Sequence, residues 1–179
     1  MKLTWMLPAL AGFVILTGCD TPTPSLLSLE APATDRETVA VNGLTGTWEA
    51  GDQTCVVRRS KDNKDYEILY LGGATPYGFE ARAFRVGSAQ LLDVTPSDDN
   101  DFRLPGHAIA RIWLENGGLR WGFLDSDWFK QQAAAVLAHH QTDSKMLLLA
   151  PGAAVRDVLG KFGADDKAVG KTVTWQRAQ

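Results

Sequence analysis

Between about Val39 and Leu124, apolar and polar residues alternate in short runs separated by turn-forming clusters. This is the period-two pattern of β-strands with one face buried. Strands are expected near 45–50, 54–60, 65–71, 78–86, 89–95, 107–115 and 118–124. The breaks are Gly51-Asp52, Lys61-Asp62-Asn63-Lys64, residues 72–76, Gly87-Ser88 and residues 96–105. None is long enough for a crossover helix, so the strands should form an antiparallel meander.

The strongest local signal is a hairpin at Asn116-Gly117. A type I′ turn needs two positive φ angles, which Asn-Gly supplies. That turn sets Leu114 against Leu119, Ile112 against Trp121 and Ala110 against Phe123, all apolar and on one face. The other face sets Trp113 against Arg120, a cross-strand cation–π pair, and Arg111 beside Gly122.

Helical spacing takes over after the hairpin. Asp125-Ser126-Asp127 offers caps for free backbone N–H groups. Trp128, Phe129, Ala133, Val136, Leu137 and His140 fall on one stripe, predicting a covering helix. Residues 145–150 read as a strand, Pro151 opens a second helix to about Phe162, and residues 172–177 read as a last strand. Before Val39 the pattern fades: Pro22, Pro24 and Pro32 lie among Thr, Ser and Ala, predicting an extended tether over 19–38. The whole is expected to be one β-rich domain over 39–179. Its class is mainly β (α+β), a curved antiparallel meander sheet or small barrel with one or two covering helices.

The first residues have a separate logic. Lys2 is followed by an apolar stretch over 3–16, too short for a permanent transmembrane helix of roughly 20 residues. Leu16-Thr17-Gly18-Cys19 resembles a lipobox, the cleavage signal of bacterial lipoproteins. The resemblance implies a leader over 1–18, cleavage between Gly18 and Cys19, and diacylglycerol and acyl chains such as palmitate on Cys19. Several chains anchor firmly, since each buried methylene contributes roughly 0.8 kcal/mol. Asp20 resembles the residue that retains enteric lipoproteins in the inner membrane; the outer membrane is the alternative. Either way the domain would face the periplasm.

Cleavage would leave 161 residues and, with Lys2 gone, move the net charge from −3 to −4. A chain this size can bury a real core. A mildly acidic chain without a basic block has no electrostatic footprint for nucleic acid. With Cys19 carrying lipid, Cys55 has no partner for an internal disulfide and reads as a small buried hydrophobe in a strand.

Gly46-Thr47-Trp48, with Arg177 near the end, is similar to the lipocalin pattern, in which an early tryptophan packs near a late arginine and closes one end of a small barrel. The similarity implies a lipocalin-like barrel and a carrier of a small apolar ligand. It departs from that family in placing a helix after the seventh strand. Leu104-Pro105-Gly106-His107, Arg111-Ile112-Trp113-Leu114 and Phe123-Leu124-Asp125-Ser126-Asp127-Trp128 resemble a segment of uncharacterised bacterial lipoproteins, which implies the cell envelope and no assigned activity.

Several residues invite chemistry. Continuing the hairpin register sets His107 opposite Ser126, flanked by Asp125 and Asp127, as a hydrolase or a structural cap would need. No Gly-x-Ser-x-Gly elbow surrounds Ser126. His139-His140 are adjacent, whereas helical metal sites use i, i+4 spacing. Asp98-Asp99-Asn100-Asp101 lacks the glycine and glutamate of an EF-hand. No metal or cofactor is therefore expected. Trp48, Tyr66, Tyr70, Tyr77, Phe79, Phe84, Trp113, Trp121, Trp128 and Trp175 form either plain core or the lining of an apolar groove. Trp48, Trp113, Arg120, His107 and Arg177 are the candidate binding residues. The function expected first is non-enzymatic: a lipid-anchored protein that binds or assembles an envelope partner. The alternatives are a lipocalin-like carrier of a small apolar ligand and a hydrolase using His107 and Ser126.

Overall fold

The computed structural model describes residues 22–72, 76–97, 106–132, 136–142 and 145–179. The leader, the Gly18–Cys19 cleavage site, the acidic run at 98–101 and Ala133 lie outside them.

The first strand, β1 (Leu26–Ser28), falls inside the expected tether and corrects it. The next seven lie where alternation places them: β2 (Gly46–Ala50), β3 (Gln53–Arg59), β4 (Tyr66–Leu71), β5 (Tyr77–Val86), β6 (Ala89–Pro96), β7 (His107–Glu115) and β8 (Gly118–Phe123). Helix α1 (Ser126–Gln132) follows, then β9 (His139–Gln141), β10 (Met146–Leu148), helix α2 (Gly152–Phe162), a short 3-10 turn and β11 (Val173–Arg177).

Eight of these strands close into an antiparallel barrel in the order β6-β5-β4-β3-β2-β11-β8-β7, with β6 pairing back to β7. The hairpin register is the expected one, Ala110↔Phe123, Ile112↔Trp121, Trp113↔Arg120 and Leu114↔Leu119. Its turn has φ 51° at Asn116 and 77° at Gly117. A Cβ on Gly117 would meet nothing within 4 Å, so replacement costs only conformation. Gly117→Ala is expected to lower the unfolding free energy by about 1 kcal/mol, read from the urea midpoint.

Alternation on the barrel wall sorts side chains into two cores. Inward residues Trp48, Val57, Tyr66, Ala81, Ala83, Leu92, Ala110, Ile112, Leu119 and Trp175 fill the barrel. Small alanines on β5 and β7 leave room for the large rings from β2, β4 and β11. Outward residues Phe84, Val86, Leu91 and Ile109 form a second core with Leu26, Phe129, Met146, Leu148, Val155 and Leu159, beneath the helices and the β1–β10 ribbon.

Strand β1 serves both cores. It pairs antiparallel with the start of β7 (Leu27↔Ala108, Ser28↔His107) and parallel with β10 (Leu26↔Met146). Leu26 enters the outer core and Leu27 the barrel core. Beyond Phe123 the chain of β8 peels from the wall, and β1 takes its place beside β7, with β10 and β9 continuing the sheet. The expected tether is thus built into the fold from Pro22, which is already buried.

The first helix is shorter than its apolar stripe predicted. Its described residues are Ser126–Gln132, and by Val136 the chain is no longer helical; Val136 is exposed, Leu137 is buried, and His140 lies on β9. Pairing of β9 with β10 (Leu147↔His140) overrides the local helical spacing. Among the described residues no helix is long and apolar enough to cross a membrane.

Candidate functional site: the accessible half of the barrel

The registers define two barrel ends. At one lie the β3–β4, β5–β6 and β7–β8 turns; at the other lie the β2–β3 turn, the end of β4 and the start of β5.

The first end is sealed. Val41 and Leu44, from the segment before β2, are buried in the barrel core beside Trp48 and Tyr66. The Val41 amide donates to Tyr66 Oη at 2.8 Å, and Trp48 Nε1 donates to the Leu44 carbonyl at 2.9 Å. Arg177 pairs with Trp48 across the β2–β11 ladder and lies 4.7 Å from its ring centroid. Its guanidinium also donates to the Gly43 carbonyl. A Cβ on Gly46 would stand 2.6 Å from Arg177 Nη1, so glycine is what lets the arginine cross the barrel end. Arg59, over the Tyr66 ring at 4.1 Å, completes this end. The contact expected between Trp48 and Arg177 is therefore formed.

At the second end, inward side chains remain partly accessible. Ile68, Tyr70, Phe79, Trp121, Phe123 and Val173 pack against the barrel core but are only half-buried. Trp121 and Phe123 meet edge-on with centroids 5.3 Å apart. Below them Trp175 is 1% exposed and packs edge-on to Tyr70 at 6.1 Å. Its Nε1–H has no hydrogen-bond partner among the described residues. An eight-stranded barrel is just wide enough to be filled by side chains or to hold one small ligand. Of the ten aromatic residues read as core or groove, the structure brings Tyr70, Phe79, Trp121 and Trp175 to this half of the barrel. Phe84 and Trp128 belong to the outer core.

Cys55 faces the same interior, opposite Tyr70 and Trp48. Burial pushes its thiol up to about 12. Because the raised value keeps the thiol protonated, native protein at pH 8 should resist iodoacetamide, and alkylation should become fast once urea unfolds the chain. Rapid labelling of the native state would contradict this burial.

The other candidate residues lie elsewhere. Trp113 and Arg120 sit on the outer wall, where Arg120 lies 3.7 Å and Arg111 4.7 Å from the indole centroid. A shallow groove of about 200 Å³ runs beside them, lined by Gln90, Arg111, Trp113 and Glu115 among others. Arg111 is held by the Ala164 carbonyl at 2.8 Å and by Asp166 at 3.0 Å, and its Nε has no partner among the described residues.

His107 does not meet Ser126. Its Nδ1 lies 2.7 Å from Oδ1 of Asp93, a buried carboxylate, and its cross-strand neighbour is Ser28. The hairpin register could not be extended past Phe123 because β1 replaces β8 there. Asp125 caps α1, accepting from the Trp128 amide at 2.8 Å, and the Ser126 amide donates to Ser25 Oγ. Ser28 is fully buried, and its hydroxyl donates to the Glu30 carbonyl, which leaves it no access to a substrate. His139 and His140 are adjacent on a strand and so point to opposite faces; His139 Nδ1 donates to the Leu137 carbonyl.

No family model matches the chain, and neither does any curated protein or solved structure.

Proposed function

We propose that the chain is a lipid-anchored lipoprotein of the bacterial envelope that binds a small apolar ligand in the accessible half of its barrel. One observation carries the ligand reading: a closed eight-stranded barrel is sealed at one end by Trp48, Tyr66 and Arg177, while apolar rings remain half-buried at the other. A barrel packed only for stability would gain by burying those rings as completely as Trp48 and Trp175, because each Å² of apolar surface withdrawn from water contributes about 25 cal/mol.

The leader over 1–18 and the lipobox cysteine support the anchor. Pro22 is buried only three positions after Cys19. Three residues reach about 11 Å at full extension, so the lipid would hold the barrel close to the membrane rather than on a long leash. Asp20 supports the inner membrane and a periplasmic domain.

Native mass spectrometry of protein purified gently from its host membranes tests both parts. The expected spectrum carries a diacylglyceryl mass on Cys19 and a further small mass that leaves on denaturation. A clean polypeptide mass without the second component would remove the ligand, and an unmodified Cys19 would remove the anchor.

The second reading is binding of an envelope protein. Leu69 and Leu71 favour it, pointing outward from β4 with 42% and 39% exposure. Replacing both with serine would abolish a crosslink to such a partner and leave ligand binding intact.

A further inference from the structure

The interior also says what kind of ligand would fit. On the accessible half of the barrel, the inward positions of the described strands hold no charged side chain. The three inward arginines, Arg59, Arg85 and Arg177, lie at the sealed end, Arg59 over Tyr66 and Arg177 over Trp48. Cys55 is held neutral by its burial. A carboxylate entering this space would lose its water and gain no counter-charge, which is strongly unfavourable. In the core beneath those rings lies Trp175 Nε1–H, a donor with no partner among the described residues, on a side chain that is 1% exposed. A buried donor without an acceptor is uncommon in folded proteins, and leaving its hydrogen bond unmade carries a desolvation cost that an acceptor would recover.

We propose that the barrel selects a neutral amphiphile, an acyl chain bearing an ester or amide carbonyl, whose oxygen accepts from Trp175 Nε1. The hydrocarbon packs against Tyr70, Phe79 and Trp121, and the carbonyl fixes the depth of insertion. This assignment rests on the ligand-binding reading above and adds the polarity and charge of the ligand to it. Selectivity comes from both sides: the ester satisfies a donor that an alkane leaves bare, and the ionised acid has no cation to meet.

The test uses the mature polypeptide, from Cys19 onward, produced without its lipid. N-phenyl-1-naphthylamine, a neutral fluorescent probe, is displaced by methyl dodecanoate, by pentadecane and by dodecanoate at pH 8. The expected order places the ester first, with dodecanoate at least tenfold weaker. In Trp175→Phe, which keeps an aromatic ring and removes the donor, the ester should weaken about tenfold while pentadecane is unchanged. Wild-type protein carrying ¹⁵N-indole label gives a second measurement that does not depend on the variant folding. The Trp175 N–H proton resonance should move downfield with the ester and stay in place with pentadecane. If the probe binds but the ester loses equally with pentadecane in Trp175→Phe, or dodecanoate binds as well as the ester, the selectivity is wrong and the carrier reading stands. If neither probe nor ester binds, both fail together.

Discussion

Trp48→Ala is expected to cost the domain about 3–5 kcal/mol, read from the urea unfolding midpoint at constant m-value. The indole is 1% exposed and sits at the floor of the barrel. Truncation removes its packing against Val41, Leu44 and Tyr66, leaves the Leu44 carbonyl without its donor, and strips Arg177 of the ring beneath it. Those three losses act at one place, so the sealing segment before β2 should loosen with the substitution. Amide exchange at Val39, which donates to Ala83, and at Val41, which donates to Tyr66, should accelerate first. Trp48→Phe keeps most of the ring volume and loses only the N–H, and about 1–2 kcal/mol is expected for it. Since a domain of this kind holds roughly 5–15 kcal/mol in total, the alanine variant should lie near the edge of folding.

Leu26→Ala comes second, at about 2–5 kcal/mol. Leu26 is 1% exposed and packs in the core beneath the helices, although it belongs to a segment whose composition reads as a spacer. Leu29→Ser, three residues further on, is the internal control. Leu29 is 48% exposed, so a change within about 0.5 kcal/mol is expected. A true tether would give the same negligible effect at both positions. The contrast therefore measures directly whether β1 is part of the domain.

The two substitutions also mark what could and could not be read from the sequence. The seven meander strands were legible because short runs rich in apolar, aromatic and β-branched residues are separated by turn-forming clusters, and tertiary structure did not override them. The Trp113–Arg120 stack and the inward set of the hairpin followed from one turn type. Strand β1 was not legible because it spans only three residues. Leu26 and Leu27 serve opposite cores, so no apolar–polar alternation marks it, and prolines precede it. The loss of helical stripe after Gln132 is an override by β9–β10 pairing, which no local spacing reveals. His107 was set opposite Ser126 by extending a correct register three residues past its last pair, Ala110↔Phe123, into the region where β1 enters the sheet.

The site was partly legible. The hairpin register assigns Trp121 to the barrel interior and Trp113 to the outside, whereas Tyr70, Phe79 and Trp175 are placed inside by pairings that no single turn specifies. Parity alone does not say which end of the barrel is sealed. That depends on the segment over 39–45 folding back beneath Trp48, and on Arg177 arriving from the far end of the chain. Both contacts are non-local; the second was marked by Gly46-Thr47-Trp48 with Arg177, and the first by no pattern in the sequence. The five residues singled out for binding thus divide into Trp48 and Arg177 at the floor, Trp113 and Arg120 on the outer wall, and His107 beside Asp93.

The most direct test of the ligand site is a titration of the mature polypeptide with N-phenyl-1-naphthylamine, comparing wild type with Phe79→Asp and Arg85→Asp. Phe79 faces the accessible interior; Arg85 shares that face by register but lies exposed at the sealed end of the same strand, away from the accessible half. Saturable, blue-shifted binding is expected in wild type and Arg85→Asp, with at least a tenfold loss in Phe79→Asp, because an unpaired carboxylate would enter an apolar space. Probe binding that is absent in wild type, or unaffected by a charge at position 79, would contradict a ligand site in the barrel.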